Sequence, residues 1–108
     1  MKRVELTPVA LIEMAERFRA LGEPARLGLL EALRDGEHTV SELVFATGQT
    51  QANVSRHLAI LHGAGLVTRR RSGVYVHYMV ADAGVWELCD LVCHRLRLGV
   101  DAMRRAVG

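Results

Sequence analysis

Residues 50–67 read TQANVSRHLAILHGAGLV, and the reading of the whole chain turns on this stretch. Val54, Leu58 and Leu61 recur at helical spacing and give it one apolar face. Thr50 suits the N-cap, because its hydroxyl can accept from an unpaired N–H of the first turn. Gly63 and Gly65 mark the end. The outward positions near the start are Gln51, Asn53, Ser55 and Arg56, with His57 toward the flank, and none of them is an acid. Such a face offers donors and acceptors without offering negative charge.

The flanking sequence gives that helix a setting. Downstream, residues 67–70 and 74–80 have strand chemistry, the second with Val74, Val76, Tyr78 and Val80 alternating against Tyr75, His77 and Met79. Ser72-Gly73 is the expected turn, so the hairpin tip reads RRRSG. Upstream, Thr39-Val40-Ser41-Glu42 has the form of a capping box. It opens a short helix that runs through Leu43 and Phe45 or Ala46 to Gly48. Pro24 starts a helix with Leu27, Leu30 and Leu33 inward and Gly36 just past its end. Thr7-Pro8 opens the first helix, where Val9, Ile12, Ala15, Phe18 and Leu21 keep helical spacing. A last helix is expected over 83–97, continuing past Gly99 to Arg105. Two short helices joined by a tight glycine turn and followed by a basic hairpin make a winged helix-turn-helix, mainly α with a small β-hairpin.

Charge supports a polyanionic partner. The segment 43–81 contains no Asp or Glu and holds Arg56, Arg69, Arg70 and Arg71, a local charge of +4 in a chain whose total is +2. Carboxylates would repel phosphate, and their absence from one block favours nucleic acid. A solvated helix face would explain the polar residues, but neither the missing acids nor the arginine-rich hairpin. In a major groove, Gln and Asn pair with adenine and Arg with guanine. The expected DNA contacts are therefore Thr50, Gln51, Asn53, Ser55, Arg56, Arg69, Arg70 and Arg71, with His57 touching the DNA backbone.

The totals narrow the remaining classes. A chain of 108 residues, 50% apolar and 24% charged, suits one soluble domain over 1–108. No apolar run is long enough to span a membrane, and MKRVELTPVA lacks the features of a secretion signal, so a cytoplasmic protein is expected. Catalysis is not expected. The five histidines are scattered, and there is no glycine-rich phosphate loop and no nucleophile motif.

Three stretches resemble the ArsR/SmtB family of small bacterial repressors. They are LGEPARLGLLEAL at 21–33, the recognition-helix segment at 50–67, and RRRSGVYVHYMV at 69–80. The resemblance implies a homodimer joined by its first and last helices, about 8–21 and 83–105, with a DNA-binding part at about 39–80. It also implies a pseudo-palindromic double-stranded operator whose half-sites lie about one helical turn apart. Family inducers include thiophilic metals, metalloids, oxidants and reactive sulfur, and some members sense no metal.

The family's Cys-Val-Cys metal motif falls here on Thr39-Val40-Ser41, whose hydroxyls are poor ligands for soft ions. Its last-helix zinc site falls on Asp82, Gly84, Arg95 and Leu98, which leaves one ligand in four. What remains is Cys89 and Cys93, four apart on one helix face. Two thiolates so placed could hold a soft ion such as Cd(II) or As(III), with thiols of a second copy completing the shell. His94 is a further candidate ligand, although Asp90 and His94 are also spaced to pair with each other. Oxidation is the other chemistry, through an intersubunit or polysulfide-bridged link, since an intrahelical disulfide at this spacing would be strained. Val85, Leu88, Cys89, Val92 and Leu96 also form an apolar stripe, so plain packing is the alternative account of the cysteines. Besides a thiol-responsive repressor, the sequence admits a repressor without a thiol inducer and a winged-helix protein-interaction module. No cofactor is required by any of these.

Overall fold

A computed structural model describes residues 2–107. Helix α1 spans Pro8–Leu21, and the Thr7 hydroxyl accepts from the Ala10 N–H at 3.1 Å, as its position before Pro8 led us to expect. Helix α2, Pro24–Ala32, passes into a 3₁₀ turn, Leu33–Asp35. Strand β1, His38–Thr39, leads directly into helix α3, Val40–Thr47. Helix α4 is Gln51–Gly63, strands β2 and β3 are Val67–Ser72 and Tyr75–Val80, and helix α5 is Gly84–Val107. No helix among the described residues is long and apolar enough to cross a membrane.

Local chemistry sets the two central helices. At the start of α3 the Thr39 hydroxyl accepts from the Glu42 N–H at 3.2 Å, while the Glu42 carboxylate accepts from the Thr39 N–H at 2.9 Å. This reciprocal box satisfies two N–H groups that the helix itself leaves unpaired. Gly48, at φ 72°, closes α3 in a left-handed conformation that costs glycine no steric penalty. Two residues later Thr50 caps α4, accepting from the Asn53 N–H at 3.2 Å. The tight connection brings α4 against α3.

The core lies beneath that pair. Leu29, Leu30 and Leu33, then Leu43, then Val54, Leu58 and Leu61 are all buried, joined by Val67 and Val85. The expected inward set of α4 is therefore observed in full. Helix α2 differs. Leu27 is 40% exposed and Leu29 fills the core in its place. On α3 Leu43 is buried, whereas Phe45 is 93% exposed.

The sheet is antiparallel in the order β1-β3-β2. Ser72 pairs with Tyr75, so the turn is Gly73-Val74, one residue later than expected, with Gly73 at φ 63°. The sequence reading gave a hairpin, and the third strand is an addition. His38 pairs with Tyr78 and Thr39 with His77, which anchors the start of α3 to the wing.

Helix α5 is tied back to α2. The Trp86 indole N–H donates to the Leu30 carbonyl at 2.8 Å. Arg34 donates to both oxygens of Asp90, at 3.1 and 2.5 Å, and to Glu31 at 2.9 Å. Its guanidinium also lies 5.8 Å from the centre of the Trp86 ring, within cation–π range. Asp90 is thus committed to Arg34 and not to His94, and that hydrogen bond holds the Asp90 carboxyl below its usual pKa. Beyond these ties, Val9, Ile12 and Phe18 of α1 and Leu91, Val92 and Leu96 of α5 remain exposed.

Candidate nucleic-acid interface

The start of α4 presents a polar, exposed face. Thr50, Gln51, Asn53, Ser55 and Arg56 are all exposed, and no acid stands among them. Arg56 Nη2 lies 3.4 Å from Asn53 Oδ1, a long contact that leaves most of the guanidinium's donors unused.

His57 requires a correction. Expected at the DNA backbone, it is only 5% exposed. It sits one position before Leu58, on the flank where α4 meets α2, and Arg26 and Arg56 stand on either side of its ring. Its pKa is held below the usual histidine value, first by burial and then by the charges of Arg56 and Arg26, with Glu23 opposing them.

The wing arginines also separate. Arg69, Arg70 and Arg71 follow one another in β2, and successive side chains of a strand point to opposite faces. Arg70 pairs with Glu37, donating from Nε to Oε2 at 2.9 Å and from Nη2 to Oε1. That hydrogen bond is the chief reason the Glu37 carboxyl lies below its usual pKa. Arg69 and Arg71 are exposed and have no carboxylate within ion-pair distance among the described residues. The acid-free block of the sequence therefore receives one carboxylate from outside it, and Arg70 is the arginine that it occupies.

The cysteines lie away from these residues in sequence, on α5. Both are free thiols, Cys89 half-buried and Cys93 exposed. They line an open apolar groove of about 590 Å³ together with Phe18, Leu21, Leu30 and Trp86. Burial pushes the Cys89 thiol above its usual pKa, with Arg34 pulling the other way. His94 is exposed on the same helix. Among the described residues no three His, Cys, Asp or Glu side chains converge as a metal site. Two structural residues carried no role in the sequence reading. Arg26 stands in the sequence only within LGEPARLGLLEAL at 21–33, and Glu37 has no signal there, because its partner is 33 residues away.

A helix-turn-helix with a third strand and a basic wing defines the winged helix-turn-helix class, and comparison with known proteins narrows it. The family model for bacterial regulatory proteins of the ArsR family matches residues 23–69. The HTH-type transcriptional regulator NmtR of Mycobacterium tuberculosis is 33% identical over 102 residues, covering 92% of this chain and 85% of that protein. The HTH-type transcriptional repressor SmtB of the same species is 46% identical over 80 residues. That match covers 73% of this chain but only 59% of SmtB. Among solved structures, the homodimeric winged helix-turn-helix DNA-binding domain (fragment 1–100) of a Mycobacterium bovis protein superimposes with a TM-score of 0.79. It is 29% identical to this chain and covers 93% of both chains. The chain belongs to the ArsR family, whose members are regulatory proteins and not enzymes.

Proposed function

We propose that this protein is a homodimeric transcriptional repressor that reads a pseudo-palindromic operator with α4 and grips the flanking backbone with its wing. One observation carries this reading. The exposed start of α4 presents Thr50, Gln51, Asn53, Ser55 and Arg56 with no acid, and Arg69 and Arg71 extend the same charge along the wing. Gln51, Asn53 and Arg56 read base edges, while Thr50, Ser55, Arg69 and Arg71 hold phosphates. The homodimeric state of the Mycobacterium bovis domain and the exposed apolar residues of α1 and α5 support pairing through those helices.

The same reading assigns induction to Cys89 and Cys93. One protomer supplies two thiols, so a soft ion such as Cd(II), which takes four ligands, would draw on both copies of α5. As(III), an oxidant or reactive sulfur would act at the same thiols, with His94 as a further ligand on that helix. Release follows if the modified thiols favour a dimer geometry in which the two recognition helices no longer fit their half-sites. A second reading, a repressor whose cysteines only pack, is favoured by the burial of Cys89 in an apolar groove and its raised pKa.

Fluorescence anisotropy of a duplex from the gene's own upstream region tests both parts, with a random-site selection if that duplex fails. Tight, salt-dependent binding is expected, with release by Cd(II), As(III) or polysulfide in wild type and none in the Cys89→Ser, Cys93→Ser double variant. Release in both proteins would remove the thiols from the mechanism. Salt-independent behaviour, or no selected sequence, would leave the protein-interaction module.

A further inference from the structure

His57 is a buried histidine caught between two cations. Its Nδ1 stands 3.3 Å from Arg26 Nη1 and its Nε2 3.4 Å from Arg56 Nη2. Guanidinium groups carry donors only, whereas a neutral imidazole carries one acceptor nitrogen and one N–H. One of the two contacts is therefore a hydrogen bond, and the other sets N–H against N–H. The flanking charges of Arg26 on α2 and Arg56 on α4, with burial, keep the ring neutral against the pull of Glu23 at the head of α2.

The two rivals are anchored differently. Arg26 donates through Nε to the Ala20 carbonyl at 2.5 Å and through Nη2 to the Arg19 carbonyl at 3.2 Å. Both carbonyls lie in the last turn of α1, and that of Arg19 also accepts from the Gly22 N–H at 3.2 Å. Arg56 is exposed, and Asn53 is its other contact.

We propose that His57 is a positioning residue whose single imidazole lone pair is contested by Arg26 and Arg56, so that DNA, by drawing Arg56 outward, hands the lone pair to Arg26 and tightens the grip of α2 on the end of α1. This rests on the reading of α4 as the DNA-reading helix. In the free protein the ring divides between its Nδ1–H and Nε2–H forms, the proton exchanging through solvent with no change in charge. With Arg56 on DNA the ring is Nε2–H, and Nδ1 accepts from Arg26. The coupling is reciprocal. Anything that shifts the end of α1 and pulls Arg26 away frees the lone pair for Arg56 and retracts it from the groove.

Nitrogen-15 NMR of the imidazole rings in the labelled full-length protein reads the tautomer directly. Three samples decide the matter: wild type, Arg56→Ala, and wild type with a duplex shown by anisotropy to be bound. A shift of His57 to the Nε2–H form is expected in Arg56→Ala without DNA, and again in wild type on the duplex. An identical tautomer balance in wild type and Arg56→Ala would overturn the competition. A shift in the variant with none on bound DNA would overturn the hand-over. Failure of every duplex to bind would remove the DNA-reading role of α4 and the hand-over with it, while the Arg56→Ala sample still decides the contest for the lone pair.

Discussion

The chain contains two kinds of surface, and they differ in how completely one copy satisfies itself. From β1 to β3, each helix start is capped, the core leucines are sealed, and Gln51, Asn53, Ser55 and Arg56 stand exposed on α4. Along α1 and α5 the pattern reverses, with Val9, Ile12, Phe18, Leu91 and Leu96 exposed on helices that are anchored near their starts. Apolar residues at regular helical spacing normally cover something, and the chain's own core is already filled. The lesson is that the unit from β1 to β3 closes on local and core chemistry, while α1 and α5 leave an apolar surface that, on the proposed reading, a second copy covers.

That contrast can be broken most directly in the core. Leu58→Ala in α4 should lower unfolding stability by about 2–5 kcal/mol, measured by urea denaturation, because it empties a fully buried site. Leu96→Asp, on the exposed side of α5, should instead raise the dimer dissociation constant, on the order of tenfold or about 1.4 kcal/mol, in sedimentation at several concentrations. Equal effects of the two variants on unfolding at high dilution would erase the distinction between the surfaces.

Arg56→Ala should weaken operator binding by about 1–3 kcal/mol and relax preference at one base pair. Uniform weakening across all sequences would make Arg56 a phosphate contact. Thr39→Ala should cost about 1 kcal/mol of stability by dismantling the capping box, read again from the urea midpoint. A smaller effect separates the wing arginines. Replacing Arg71 should reduce the salt slope of binding by roughly one unit, whereas replacing Arg70, already held by Glu37, should change it less. The reverse order would put Arg70 on the DNA and Arg71 off it.

The smallest expected effect is one of pH. His38 Nε2 lies 2.7 Å from Asp35 Oδ1, and its pKa is raised chiefly by that hydrogen bond, with a further contribution from Glu42. A raised histidine pKa stabilises the fold fully below the ordinary histidine value, and the gain is lost as pH climbs through the raised one. Asp35, lowered by the same bond, contributes above the ordinary carboxylate range and loses its part as pH falls through its depressed pKa. The pair should therefore support the fold best in mildly acidic solution. His38→Gln should flatten the urea midpoint across that window, and an unchanged profile would show the pair to be inert.

Much of this was legible in the residues, and the divide follows distance along the chain. Val54, Leu58 and Leu61 repeat within one helix, and Thr39 and Glu42 are three apart, so the signals for α4 and the capping box are local. Strand β1 has two residues and acquires its identity only by pairing with His77 and Tyr78, far along the chain. The choice between Phe45 and Ala46 on α3 stays open in the sequence because an eight-residue helix has too few turns to fix its inward face. Arg70 reads as a free cation until folding brings Glu37 to it, and His57 reads as a surface residue until α2 packs across it. The cysteines were placed correctly on one helix, but the groove they share with Phe18 and Leu30 needs three helices to exist.

Trp86 is the chain's single tryptophan. Its indole is tethered to α2 through the Leu30 carbonyl, lies beneath Arg34, and shares the groove of Cys89 and Cys93. The molecule thus carries its own optical probe at the joint between the long C-terminal helix and the body. A heavy ion arriving at the thiols would quench its emission, and a loosening of the joint would move its spectrum toward that of indole in water. A motion of α5 is therefore open to observation in unlabelled protein, with DNA absent and no side chain altered.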